Sequence, residues 1–183
     1  MEKLSQLNGD KWLEHSYPPV FMESKTKSAA KRILAGVPGG DWLPFERLAL
    51  TLEPPLILLY VLHTPRGEGQ PGRYQSEEVS GAELQNFLER FGTYLSSDSR
   101  FDLWAYSPDE DAKIVWDRHN LLFAYGPTER FAVKLRELGF GVGEAKVPDP
   151  HLHHYRPEFD KQAADLLDAL KWTRSPLKPE DEQ

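Results

Sequence analysis

Apolar residues recur along this chain with two periods, and the periods predict its elements. Leu84, Phe87, Leu88, Phe91 and Leu95 repeat at helical spacing, and Ser80 with Glu83 three residues later forms a capping-box pattern. That spacing predicts a helix from Ser80 that packs one side on a sheet. A second helix is predicted over Thr128 to Leu138, where Phe131, Val133, Leu135 and Leu138 lie between Pro127 and a closing Gly139. Pro157 opens a last one, with Phe159, Ala163, Leu166, Leu167, Leu170 and Trp172 on its apolar side. Near the N-terminus, Thr26 to Gly36 also reads as helix: Thr26 as cap, Ala29, Ala30, Ile33 and Leu34 as stripe, Gly36 as stop.

Strand periodicity fills the intervals. Phe45 to Leu52 alternates and predicts a strand, ended by Pro54-Pro55. The unbroken apolar run Leu56 to Leu62 predicts a fully buried central strand, joined to the preceding one as a hairpin. Phe101–Tyr106, Lys113–Trp116 and Leu121–Tyr125 form a three-stranded meander with polar turns at 107–111 and 117–120. Gly141 to Val147 adds an edge strand, residues 1–24 read as a short helix or irregular lead-in, and His63 to Glu78 as a long polar loop. Strands mostly follow strands, so the fold class is α+β, not a doubly wound parallel sheet. The expected architecture is a mostly antiparallel sheet of about five to six strands (the hairpin, then the meander) covered by three to four helices. Residues 1–172 are expected to form a single globular domain, with 173–183 as a flexible charged tail.

Composition narrows the function classes. Of 183 residues 39% are hydrophobic and 11% aromatic, enough for a substantial core, which excludes disorder over most of the length. The formal charge of −7 argues against nucleic acid as a partner for the surface as a whole. A locally basic stretch at Lys25, Lys27, Lys31 and Arg32 leaves one face open to that role. The absence of cysteine removes thiol chemistry and zinc fingers and points to a cytoplasmic location. Residues 1–10 lack the order of a signal peptide, and the longest apolar run falls far below the ~20 residues of a membrane-spanning helix.

Three polar clusters could carry chemistry. In Asp149-Pro150-His151-Leu152-His153-His154-Tyr155, an extended backbone would point His151 and His153 the same way. His151, His153 and His154, with Asp149, are therefore candidate ligands for a divalent transition metal, against the plainer reading of an exposed loop. The turn Asp117-Arg118-His119-Asn120 offers an acid–base pair, although Asp and Asn also suit turns for their own backbone bonding. His63, Asp117 and His119 are the candidate catalytic groups. In the 63–74 loop, Arg66 and Arg73, with Tyr74, could grip a small anion. That loop is neither a phosphate-binding P-loop nor a dinucleotide fingerprint, and no Gly-x-Ser-x-Gly elbow or calcium loop occurs elsewhere.

The leading expectation is a non-catalytic binding domain without a cofactor that acts through a protein partner, either as a small regulatory domain or by neutralising that partner, as a toxin-binding immunity protein does. It rests on the acidic charge and on Trp104, Tyr106, Trp116 and Tyr125 of the meander, only half of which can be core. Two alternatives stand beside it: a metal-binding protein or metal-dependent hydrolase using the 149–155 histidines, and a small-anion binder or enzyme using the His63–Arg73 loop. The oligomeric state stays open.

Overall fold

Among the described residues, nine strands hydrogen-bond into one sheet and three more into a second. The computed structural model describes residues 1–26 and 30–181. In chain order the elements are β1 (Leu4–Asn8), β2 (Lys11–His15), β3 (Val20–Lys25), β4 (Lys31–Gly36), α1 (Leu43–Ala49), β5 (Leu56–Leu62) and β6 (Gly72–Val79). There follow α2 (Gly81–Ser97), β7 (Phe101–Ser107), β8 (Ala112–Trp116), β9 (Leu121–Tyr125), α3 (Thr128–Glu137), β10 (Gly141–Val142), β11 (His151–His153), α4 (Asp160–Ala169) and β12 (Trp172–Ser175). The large sheet runs β10-β3-β4-β9-β8-β7-β5-β6-β12 and the small one β11-β1-β2. Pairing is antiparallel apart from β10 on β3. The class is α+β, as the element order implies, but five to six strands understate the sheet.

The shortfall has local causes. Lys31–Gly36 is a strand: Ile33 and Ala35 are buried while Arg32 and Leu34 face the other way, a period of two that the short run also fits. The expected helix across 27–29 lies outside the described residues. Conversely, Phe45–Leu52 is helical through Ala49, because Phe45, Leu48, Ala49 and Leu52 are all buried at helical spacing. Pro44 stands in the first turn of α1, and Asp41 Oδ1 accepts from Leu43 N at 2.9 Å, fixing its start. No hairpin links 45–52 to 56–62; β5 instead lies between β6 and β7. Residues 1–24 supply three strands, and half of the expected 63–78 loop is β6. The edge strand expected over 141–147 is only two residues long. Past Trp172, where the sequence predicts fraying, β12 pairs with β6 and Asp181 is buried.

One face of the large sheet carries the core. In register across β4, β9, β8 and β7 lie Ile33, Ala124, Ile114 and Ala105, and beside them Ala35, Leu122, Trp116 and Leu103. The four α-helices cover these residues with Phe45, Leu84, Phe87, Phe131 and Leu166. The capping box of α2 forms as expected: Ser80 Oγ accepts from Glu83 N at 3.2 Å, and Ser80 N donates to Glu83 Oε2 at 2.7 Å.

A buried guanidinium ties the helical layer to the loops. Arg100 donates to both oxygens of Asp98 at 2.9 and 3.0 Å, to Glu68 at 3.1 Å and to Asp160 at 3.1 Å. Burial works against its charge, but the hydrogen bonds to Asp98 and Glu68 outweigh that and raise its pKa. Arg100→Met strands two buried carboxylates and is expected to cost about 3–5 kcal/mol. Urea unfolding checks this, and a loss below about 1 kcal/mol would mean the network contributes little net stability.

Candidate metal centre and adjoining cleft

The 117–120 turn is built from its own side chains. Asp117 Oδ1 accepts from His119 N at 3.0 Å and Leu121 N at 2.8 Å, while Asn120 takes a positive φ of 66°. Asn120 Oδ1 also accepts from the buried Trp116 indole N–H at 2.7 Å, locking the turn to the core. The second oxygen of Asp117 holds His119 Nδ1 at 2.9 Å. The turn therefore serves two ends at once, closing β8 to β9 and aiming an imidazole.

Against this imidazole lies β11. Its pairing with β1 sets Leu4 opposite His153 and Gln6 opposite His151, so these two histidines share one face of the small sheet. His154, next in the chain, turns to the other face and meets Ser5 Oγ at 2.8 Å. One nitrogen from each of His119, His151 and His153 lies within 4.8 Å of the others, and among the described residues this is the only such metal-competent cluster. Asp149 and His154 are outside it.

Hydrogen bonds orient the rings. Pro148 O lies 2.9 Å from His151 Nδ1 and Asp117 Oδ2 holds His119 Nδ1, which assigns both protons to Nδ1 and leaves both Nε2 atoms as acceptors, that of His151 toward His153 Nε2. His151 Nε2 and His153 Nε2 stand 3.3 Å apart. Two imidazole nitrogens bound tetrahedrally at ~2.0–2.1 Å from zinc are separated by about 3.3–3.4 Å, so that pair already has the spacing of a shared ion. Burial, then the neighbouring His119 and His151, push the His153 pKa down to about 3, keeping the ring neutral. Its Nδ1 is buried without a hydrogen-bond partner. An acceptor behind a ligating histidine, as Asp117 is behind His119, is the usual support of such ligands.

Two groups that sequence reasoning missed complete the surroundings. Asp102 accepts from Arg118 N at 2.8 Å through one oxygen and meets His63 Nε2 at 2.9 Å through the other, joining the end of β5 to the turn. Lys3 is wholly buried beneath them, its Nζ 4.3 Å from the Trp116 ring centroid and donating to Asp117 O at 3.1 Å. Burial draws the Lys3 pKa down to about 8, against the pull of Asp117, Asp102 and Asp98. Neither signalled itself in sequence, Lys3 because an N-terminal lysine ordinarily reads as solvated and Asp102 because it lies mid-strand.

The remaining candidates are dispersed. Arg66 bonds Asp160 at 3.0 Å beside the Arg100 network, and Tyr74 packs into the core with its hydroxyl on Gln70 O at 2.7 Å. Arg73, one residue earlier on β6, faces the opposite side and pairs with Asp181 at 2.5 Å. The three do not form one clamp. Trp116 is fully buried, which removes it from the exposed aromatics, whereas Trp104, Tyr106 and Tyr125 lie part-exposed on the sheet face opposite the helices. A cleft of about 310 Å3 on that face is lined by His119, Asp117, Arg118, Asp102, Arg32 and Trp104 among others.

No family model, no curated protein and no solved structure matches the chain.

The depressed His153 pKa fixes a pH dependence. The unfolded ring takes up a proton near pH 6.5 and the folded ring only near 3, so its contribution is present above 6.5 and lost as pH falls through that window. The melting temperature of metal-free protein is expected to fall between pH 7 and 5, and His153→Gln to flatten that decline. An equal decline in the variant would place the dependence elsewhere.

Proposed function

We propose that the protein binds one divalent transition-metal ion through His119, His151 and His153 and uses it in hydrolysis at the adjoining cleft. The observation that carries the reading is the convergence of three imidazoles from two distant segments, two of them with Nδ1 engaged by an acceptor and the Nε2 atoms of His151 and His153 only 3.3 Å apart. Imidazole ligands suit zinc, copper, nickel or iron better than magnesium or calcium. A three-histidine set leaves a fourth position for water, and a bound ion would lower that water's pKa toward ~7. Asp117 would hold His119 in the ligating tautomer. Asp102, at the cleft wall, would fix the turn through Arg118 N and hold His63 behind it.

A second reading, binding of a protein partner, is supported by the small sheet. Leu7 and Trp12 are cross-strand neighbours, Leu152 projects from the same face, and all three are exposed. A grouped Trp and two Leu on a projecting sheet suit an interface. In the described residues no helix is long and apolar enough to cross a membrane.

Protein purified without an affinity tag and titrated with zinc is expected to take up one equivalent. His119→Ala and His153→Ala are each expected to abolish it, His154→Ala to leave it intact, and Asp117→Asn to weaken it by about 10–100-fold. Calorimetry with elemental analysis measures this. Unchanged uptake in the His119 and His153 variants would reject the site.

A further inference from the structure

Opposite the helices, the large sheet presents an ordered array of cations set over aromatic rings. In one register row lie Arg32 on β4, Tyr125 on β9, Lys113 on β8 and Tyr106 on β7; the next row carries Phe123, Val115 and Trp104. The Arg32 guanidinium sits 4.8 Å from the Phe123 ring centre and donates to Tyr125 Oη at 3.0 Å and Ser24 Oγ at 3.1 Å. Lys113 Nζ lies between two rings, 5.1 Å from Trp104 and 5.2 Å from Tyr125. The Arg73 guanidinium lies 5.3 Å from the Trp104 ring centre. Rings hold all three side chains and hydrogen bonds hold Arg32 and Arg73, which lessens the entropy a ligand must remove.

Their charges are only partly answered. Among the described residues neither Arg32 nor Lys113 has a carboxylate partner, and Arg73 has only Asp181. The carboxylates nearby are largely committed: Asp102 to His63 and Arg118 N, Asp117 to His119 and the turn, Asp111 to the Tyr106 hydroxyl at 3.2 Å. Glu180 is the remaining acid of the cleft wall. Two clefts of about 310 and 320 Å3 share Trp104 as a common wall. Each is of the size that holds a small molecule, for which ~300–1,000 Å3 is usual. Arg32 and His119 both line the first.

We propose that this face binds small phosphate-bearing anions in the two clefts that meet at Trp104, with Arg32 as the fixed cation of the first, Lys113 and Arg73 as those of the second, and Asp181 as an internal occupant of the Arg73 position. A phosphate matches the array better than a carboxylate does: it offers three terminal oxygens and up to two charges, and Arg forks engage it in pairs. The C-terminal segment shows that the face accepts an anion, since Asp181 is buried there and held at 2.5 Å by Arg73. The inference names the substrate class for the metal-site reading and rests on it for the orientation of the phosphoryl group toward His119. The cation array stands independently of the metal.

Inorganic phosphate titrated into the full chain, with and without zinc, tests it by calorimetry. Saturable binding is expected in both states and tighter with zinc. Arg32→Gln with Lys113→Met is expected to weaken it about tenfold or more while leaving zinc uptake unchanged. Asp181→Asn is expected to strengthen phosphate binding by releasing Arg73, which keeps the test decisive if the double variant fails to fold. Zinc uptake without phosphate binding in either state overturns the inference and leaves the metal reading standing. Phosphate binding that depends on Arg32, with no zinc uptake, does the reverse. Phosphate affinity unchanged in both variants overturns the cation array as the site.

Discussion

Arg100 is the constraint on which the site's geometry depends. A guanidinium removed from water must have its charge balanced and its donors satisfied, or the chain will not close around it. Asp98 supplies the bidentate partner and balances the charge, Glu68 and Asp160 accept from further N–H groups, and the Arg156 carbonyl is another acceptor at 3.0 Å. The consequence reaches the 98–100 loop. Ser99 N donates to His154 O at 2.9 Å, Ser99 Oγ to Lys3 O at 2.6 Å, and Arg156 N to Asp98 Oδ2 at 2.8 Å. A single buried ion network thus clamps β1 and the 151–156 segment to the end of α2. Without it β11 has only β1 as a strand neighbour, and β1 is itself in a three-stranded sheet.

From that clamp the site follows by alternation. Pairing of β11 with β1 turns His151 and His153 to one face and His154 to the other, so two adjacent histidines meet different fates. The third imidazole arrives from a turn locked by Asn120 to Trp116. Rigid elements hold each ring, and hydrogen-bond acceptors behind two of them choose the tautomer. This is the preorganisation a metal centre needs, because a loose set of histidines would lose affinity to rotamer freedom.

Legibility in the sequence varied with how much the residues decide locally. The α2 capping box and stripe, the meander and the α+β class were readable because cap chemistry and period agree there. Phe45–Leu52 was not, since its apolar residues satisfy periods of two and 3.6 at once, and only packing against Trp116 and α3 selects the helix. Lys31–Gly36 failed for the mirror reason: an Ala-rich stripe suggested helix, but pairing with β3 and β9 on both sides made it a strand. At the site, the parallel aim of His151 and His153 could be read from extended backbone. Their meeting with His119, more than thirty residues earlier, could not, because that contact is fixed by a sheet pairing and a buried arginine. Lys3 and Asp102 carried no local signal at all.

X-ray absorption at the zinc edge of the loaded protein tests the central claim most directly. The account predicts about three imidazole nitrogens at roughly 2.0–2.1 Å and one further light-atom ligand, with the outer-shell scattering that imidazole rings give. Coordination by oxygen alone, without that imidazole pattern, would contradict it.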